Sequence, residues 1–191
     1  NQTVDRYYNK FIEAEQVQLY ETNTKTWKNW FFGYKMPQEA ILRPFFIEKR
    51  AADCDKAIIT IARNIGEALD RDYVEGEYLL SPQERDMISA VCDIFHKAGK
   101  KVIIVVNTGS PIELGRECIE KADAILLAWQ PGQEGGRAVA RVLNGKVNPS
   151  GKLPVTWASD YYDIPSSKNF PIHYVFNWDD VKPFGRESLK Q

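Results

Sequence analysis

The stretch Thr60 to Arg85, TIARNIGEALDRDYVEGEYLLSPQER, gathers the side chains in this sequence best suited to chemistry. Glu67 follows Gly66 directly, and Asp70 and Arg71 come shortly after. A carboxyl group presented by a glycine-bearing loop can be aimed into a crevice. Burial there raises its pKa toward the working pH and suits it to general acid or base catalysis. Asp70 and Arg71 suit an anchoring role, since an aspartate bonds nearby amides and an arginine fork holds a carboxylate. As bare residues, the three also read as solvated charges of a surface loop, because perturbed acids are a minority among surface carboxylates. Asn107, in the turn Asn107-Thr108-Gly109, closes a second predicted strand and would line the same crevice.

Other chemistry-bearing types have structural readings. His96 and His173 are the only histidines, and neither has metal-ligand spacing to a Cys or another His. His96 ends a predicted helix, where a cation suits the dipole. Cys54, Cys92 and Cys118 are far apart and odd in number, which describes buried reduced thiols rather than a disulfide framework or zinc site. The loop Trp129 to Gly136, WQPGQEGG, enters a helix whose free amides could bind an anion, but Glu134 reads more simply as a charge at that helix's positive end. Lys152 lies in NPSGKLP, a connecting loop, and no phosphate-binding G-x-x-x-x-G-K-[ST] is present. No metal or cofactor is expected.

The net charge of -1, with Lys and Arg spread along the chain, removes the electrostatic footprint of a nucleic-acid or anionic-membrane partner. No apolar run approaches a membrane span, and no leader pattern opens the chain. Unpaired thiols point to the cytoplasm, with secretion as the alternative and Asn1-Gln2-Thr3 as a formal glycosylation sequon.

These side chains need a scaffold, and its pattern is α/β. Residues 1 to 50 read as a helix, with apolar positions Val4, Tyr7, Tyr8, Phe11, Ile12 and Leu19, followed by an irregular aromatic arm punctuated by Gly33, Pro37 and Pro44. The aromatics, Trp27 and Trp30 among them, either pack the arm onto the domain or form a sugar-stacking platform. From Ala51, short apolar runs alternate with amphipathic segments. KAIITIAR is a strand, and SPQERDMISAVCDIFHKAG is a helix capped by Ser81 with Pro82 in its first turn. Its buried stripe is Ile88, Val91, Cys92 and Phe95, and Gly99 ends it. KKVIIVVNTG is a strand covered on both faces. PIELGRECIEKA is a helix, DAILLAW a strand, and GQEGGRAVARVLNG a helix closed by Gly145. This order predicts a three-layer α/β/α sandwich with a mostly parallel sheet, its core in residues 51 to 157 and an extended segment over 158 to 191. Three strands make a thin sheet for such a fold, so the sandwich is expected to be incomplete in this chain.

The motifs carry a resemblance. RNIGEALDRD resembles a loop of the form R-x-S-G-E-G-x-D-R. YLLSPQE, VIIVVNTGSPIEL, DAILLAWQPGQEGGRAVARVLNGKVNPSGKLPVTW and DIPSSKNFP then follow, from Ala51 to about Pro171. In this order and spacing they resemble the carboxy-terminal sandwich domain of glycoside hydrolase family 3, the β-glucosidase family. The most specific part is W-x-P-G-Q-E-G-G followed by N-P-S-G-K-L-P. Residues 1 to 50 fit the domain only loosely.

The resemblance implies a retaining β-glycosidase. Such an enzyme places two carboxyl groups about 5 to 5.5 Å apart across the glycosidic bond, one as nucleophile and one as acid/base. The family's nucleophile belongs to a barrel domain preceding the sandwich, and its acid/base in many members is the Glu of S-G-E-G-x-D-R, which is Glu67 here. The implied partners are that amino-terminal barrel and a β-glucoside or oligosaccharide substrate. Two positions depart from the motif: Ile65 replaces the usual small residue and Ala68 the usual glycine, which bears on how the loop presents Glu67. Nothing in the chain resembles the barrel, so the chain reads as a fragment that cannot hydrolyse a glycoside unaided. The alternative is a non-catalytic carbohydrate-binding or partner-docking module of the same fold.

Overall fold

The structure is a computed structural model that describes residues 1–23, 38–63 and 71–169. Glu67 and Asp70 lie outside the described residues, as do Trp27, Trp30, Gly33, Pro37 and His173. The element order is α1 (Gln2–Asn23), α2 (Pro44–Asp53), β1 (Lys56–Arg63), α3 (Pro82–Lys97), β2 (Lys101–Thr108), α4 (Arg116–Lys121), β3 (Ala124–Leu127) and α5 (Gly135–Leu143). Two short 3₁₀ turns, Tyr161–Asp163 and Pro165–Asn169, follow in the segment expected to be extended.

The described strands form one parallel sheet in the order β1-β2-β3. Lys56 pairs with Lys101 and Arg63 with Thr108 along β1 and β2, while Ile103 pairs with Ala124 and Val106 with Leu127 along β2 and β3. α2 and α3 cover one face. Ile59 and Ile61 of β1 and Val102, Ile104 and Val106 of β2 pack there against Ile47, Met87, Ile88, Val91, Cys92 and Phe95. The predicted stripe of α3 is thus its buried face, with Met87 added. β2 is buried almost continuously, as a central parallel strand should be. β1 alternates instead, so Ile58, Thr60 and Ala62 face outward while Ile59, Ile61 and Arg63 face the core.

Local chemistry explains the helix ends. Ser81 accepts from the Glu84 amide at 3.2 Å, and Glu84 accepts from the Ser81 amide at 2.8 Å, a reciprocal capping box. Gly99 (φ +71°) and Gly145 (φ +74°) adopt left-handed backbone just beyond α3 and α5. His96 stands in the last turn of α3 and meets Asp123 at 2.8 Å.

Helix α2 begins at Pro44, where the irregular arm read from the sequence has its last residue. Pro44 opens this helix rather than interrupting the chain, which fits proline's tolerance in a first turn where the amide has no partner anyway. The helix runs across residue 50, and Ile47 and Ala51 bury its inner side. α1 docks beside it through Tyr7, whose hydroxyl donates to the Ile41 carbonyl at 2.8 Å and whose ring lies 5.2 Å from Phe46. The Tyr8 hydroxyl donates to Glu39 at 2.7 Å. Burial, and then the Glu39 carboxylate, raise that phenol above its usual pKa. Cys92 and Cys118 are buried free thiols, and Cys54 is half-buried. Burial pushes the Cys92 thiol up to about 11, which makes it unreactive. No described helix is long and apolar enough to cross a membrane.

Candidate functional site

The carboxyl ends of β1, β2 and β3 converge on one edge of the sheet, where open α/β folds bind their ligands. β1 ends at Arg63, and the segment carrying Glu67 and Asp70 connects it to Arg71. The described residues on either side of it, Arg63 and Arg71, are both held. Arg63 lies on the core face and donates a bidentate pair to Glu84, with Nη1 to Oε1 and Nη2 to Oε2 both at 2.6 Å. Its Nε donates to the Glu77 carbonyl at 2.9 Å, Nη2 also to the Leu79 carbonyl at 3.3 Å, and Nη1 also to its neighbour Ala62 at 2.8 Å. The Arg63 and Glu84 side chains are only 5% and 9% exposed.

Arg71 is nearly as buried, with its side chain 8% exposed. Its Nη1 meets Glu77 Oε2 at 3.3 Å and its Nε points at Ser110 Oγ at 3.5 Å. Burial lowers the pKa of its guanidinium and Glu77 partly restores it, and an arginine stays cationic throughout. Among the described residues Arg71 holds the carboxylate of Glu77, a residue to which the sequence reading gave no role. Ser110 belongs to the turn after β2, where the buried Thr108 hydroxyl donates to the Ser110 carbonyl at 2.9 Å. Asn107, one position earlier and opposite Ala62, is exposed. Arg71 and the turn after Asn107 are therefore brought together at this edge.

The third loop closes the edge. Trp129 takes a left-handed backbone (φ +52°), uncommon for a side chain of its size, and its ring lies 5.5 Å from Trp157. The Trp157 indole donates to the Ile112 carbonyl at 2.7 Å. Gly109 is pressed so closely by the Gln130 side chain that an added Cβ would lie 2.9 Å from it. Glu134 stands at the N-cap position of α5 but makes no capping hydrogen bond. Its backbone (φ -91°, ψ 11°) lacks the extended conformation of an N-cap, and its carboxylate pairs with Arg137 at 3.1 Å instead.

A tyrosine cluster flanks the site and was not anticipated. Tyr73 lies 4.9 Å from Tyr161 and 5.8 Å from Tyr78, and Tyr161 lies 5.6 Å from Tyr162. Glu113 ties the cluster together, its carboxylate accepting from the Tyr161 amide at 2.9 Å and its amide donating to the Tyr78 carbonyl at 2.8 Å. Burial first, and Glu113 next, raise the Tyr73 and Tyr78 phenols above their usual pKa, so both are neutral donors at physiological pH. Among the described residues no group of three or more His, Cys, Asp or Glu is gathered to hold a metal.

Arg63 and Glu84 form a buried pair that sequence reading missed. Arg63 shares the alternation parity of Ile59 and Ile61, which places it on the core face and requires a buried partner. Glu84 stands three residues after Ser81, the spacing of a capping box.

A parallel sheet in the order β1-β2-β3 with helices joining its strands defines an open α/β domain, a class whose ligands bind at the carboxyl ends of the strands. Residues 43–186 match the family model described as the glycosyl hydrolase family 3 C-terminal domain. The chain belongs to glycosyl hydrolase family 3, as its carboxy-terminal domain. It is 39% identical over 133 residues to a β-glucosidase of Ruminococcus albus, covering 70% of this chain and 14% of that protein. It is 46% identical over 119 residues to a xylan 1,4-β-xylosidase of Xylanibacter ruminicola, covering 61% and 13%. The structure of β-glucosidase 3B from Thermotoga neapolitana in complex with glucose superposes with a TM-score of 0.76 at 42% identity, covering 90% of this chain and 23% of that one. A β-glucosidase from Paenibacillus barengoltzii gives 0.74 at 30% identity, covering 90% and 18%. The chain thus spans less than a quarter of the length of these relatives.

Proposed function

We propose that this domain supplies the acid/base half of a retaining β-glycosidase, with Glu67 as the proton donor and the nucleophile on a separate amino-terminal barrel domain. The observation that carries this reading is the burial and pairing of Arg63 and Arg71, the described residues that flank the Glu67 segment, at the carboxyl edge of a parallel sheet. In the first step Glu67 protonates the departing glycosidic oxygen while the nucleophile attacks the anomeric carbon. In the second it takes a proton from the water that releases the sugar. Asp70 and Arg71 anchor the segment, and Asn107 lines the crevice as a hydrogen-bonding side chain. The substrate is a β-glucoside or related oligosaccharide, in keeping with the relatives named β-glucosidase and xylan 1,4-β-xylosidase.

Assaying the full-length gene product beside this chain on an aryl β-glucoside tests the division of labour. Activity is expected only in the longer protein, and hydrolysis by the chain alone would overturn it. Within the longer protein, Glu67→Gln should lower kcat/KM on substrates with poor leaving groups by about 10²- to 10⁴-fold. An unchanged rate would favour a docking module without a catalytic carboxylate.

A further inference from the structure

The tyrosines of this chain fall into two kinds. The hydroxyls of Tyr7 and Tyr8 are bonded to the Ile41 carbonyl and the Glu39 carboxylate. Those of Tyr73, Tyr78, Tyr161 and Tyr162 have no hydrogen-bond partner among the described residues, and none of the four is sealed from solvent. A tyrosine that only packs usually finds a partner for its hydroxyl. These four present open donors instead. Tyr162 is 52% exposed, and its ring stands 5.7 Å from Tyr73 at 71°, while Tyr78 meets Tyr161 at 5.4 Å and 80°. Asp160 accepts from the Tyr162 amide at 2.8 Å, as Glu113 does from that of Tyr161. The rings are thus held by their backbone, and a tyrosine has little side-chain entropy to lose on binding. Tyr73 follows Arg71 by two residues and Tyr78 follows Glu77 directly, so this corner adjoins the Arg71 pair at the carboxyl edge of the sheet.

A ligand suited to this corner needs an apolar face for the rings and hydroxyl groups for the phenols and carboxylates. A neutral sugar has both. Glu113 and Asp160 carry no ion pair among the described residues, so each keeps an oxygen to accept from a sugar hydroxyl. A cation is a poorer fit, because the rings touch one another at 4.9 to 5.8 Å and leave no gap in which several faces could surround it. We propose that Tyr73 and Tyr162, braced by Tyr78, Tyr161 and Glu113, form a contact site for a neutral β-linked oligosaccharide beside the carboxyl edge of the sheet; this rests on the glycoside substrate proposed above. One such contact is weak alone. It gains strength when the same oligosaccharide is held at a second place, since linkage makes the second contact intramolecular.

The test uses the full-length gene product and a thio-linked cellotetraose, which resists hydrolysis. Nitration of tyrosines by tetranitromethane is followed residue by residue with peptide mass spectrometry. Raising the thio-tetraose to saturation should slow nitration of Tyr73 and Tyr162 several-fold, while glucose at the same concentration should leave both rates unchanged. Unchanged rates with the tetraose would overturn the proposal, and equal protection by glucose would overturn the oligosaccharide as ligand. Tyr162→Ala should weaken inhibition of aryl β-glucoside hydrolysis by the thio-tetraose by about 2- to 10-fold. The rate on the aryl glucoside itself should not change. Tyr162→Phe keeps the ring and should keep most of the inhibition. An equal loss on the aryl glucoside would mark a structural role for the corner and overturn the proposal. If Tyr162→Ala does not fold, nitration of the unsubstituted protein decides. Nitration also needs no turnover, which separates the two levels. Full activity of Glu67→Gln would remove the acid/base reading, whereas protection at Tyr73 and Tyr162 decides the sugar contact whatever that result.

Discussion

Adjacent glycines at the start of α5 do different things. A Cβ on Gly135 would lie 2.5 Å from Pro131 Cγ, a rigid ring atom, whereas one on Gly136 meets nothing within 4 Å. Alanine is the better helix former at either position, by about 1 kcal/mol. Gly136→Ala should therefore stabilise by up to about 1 kcal/mol, while Gly135→Ala should destabilise by about 1 to 3 kcal/mol through overpacking. Urea denaturation of the two variants side by side decides this, and equal effects would contradict it. Asp123 offers a pH test. Lys101 Nζ at 2.7 Å, the Val102 amide at 2.8 Å and His96 at 2.8 Å hold its carboxyl well below the usual carboxylate range. A pKa lowered by folding gives stability that is present above the unfolded value, about 3.9, and lost as pH falls below it. Asp123→Asn should lower Tm near neutral pH and flatten the decline below about pH 4, read from Tm as a function of pH.

Among the elements, α3 carries the plainest local code. Its cap, its first-turn proline and its apolar stripe all point to one helix, and the agreement of signals made it legible in the sequence. Ser81→Ala should cost about 1 kcal/mol of stability, measured by chemical denaturation. β2 was legible for a similar reason, as an unbroken apolar run. α2 was not, because Pro44 signals a helix start and a chain break equally well and Phe45 at 76% exposure spoils the apolar stripe. The site was legible only in part. Arg71 and Asn107 could be placed by the loop they follow or end, but that Arg71 meets Glu77 is set by how the turn folds back. Arg63 and Glu84 meet across 21 residues, so nothing in either local segment names the other. The tyrosine cluster joins Tyr73 and Tyr78 to Tyr161 over a still longer separation, and only the docked carboxy-terminal turn brings them together.

The whole molecule has two unlike sheet faces. α2 and α3 cover one of them, while Ile58 on the other is 50% exposed and β1 pairs with a strand on one side only among the described residues. An edge strand with an apolar outer face is a template for pairing with another chain. The chain on its own should self-associate with rising concentration, and Ile58→Lys should reduce this without altering its circular dichroism. Sedimentation velocity at several concentrations measures it, and a variant that associates as strongly as the parent would contradict it. The contact between Gly109 and Gln130 carries a different implication, for how sequences can be exchanged. A side chain added at position 109 must displace the amide of residue 130, so the tolerable residues at one position depend on those at the other. Chimaeras with related domains should therefore take residues 107 to 112 and 128 to 131 from the same parent, whereas a crossover between them would join loops that had never been selected together.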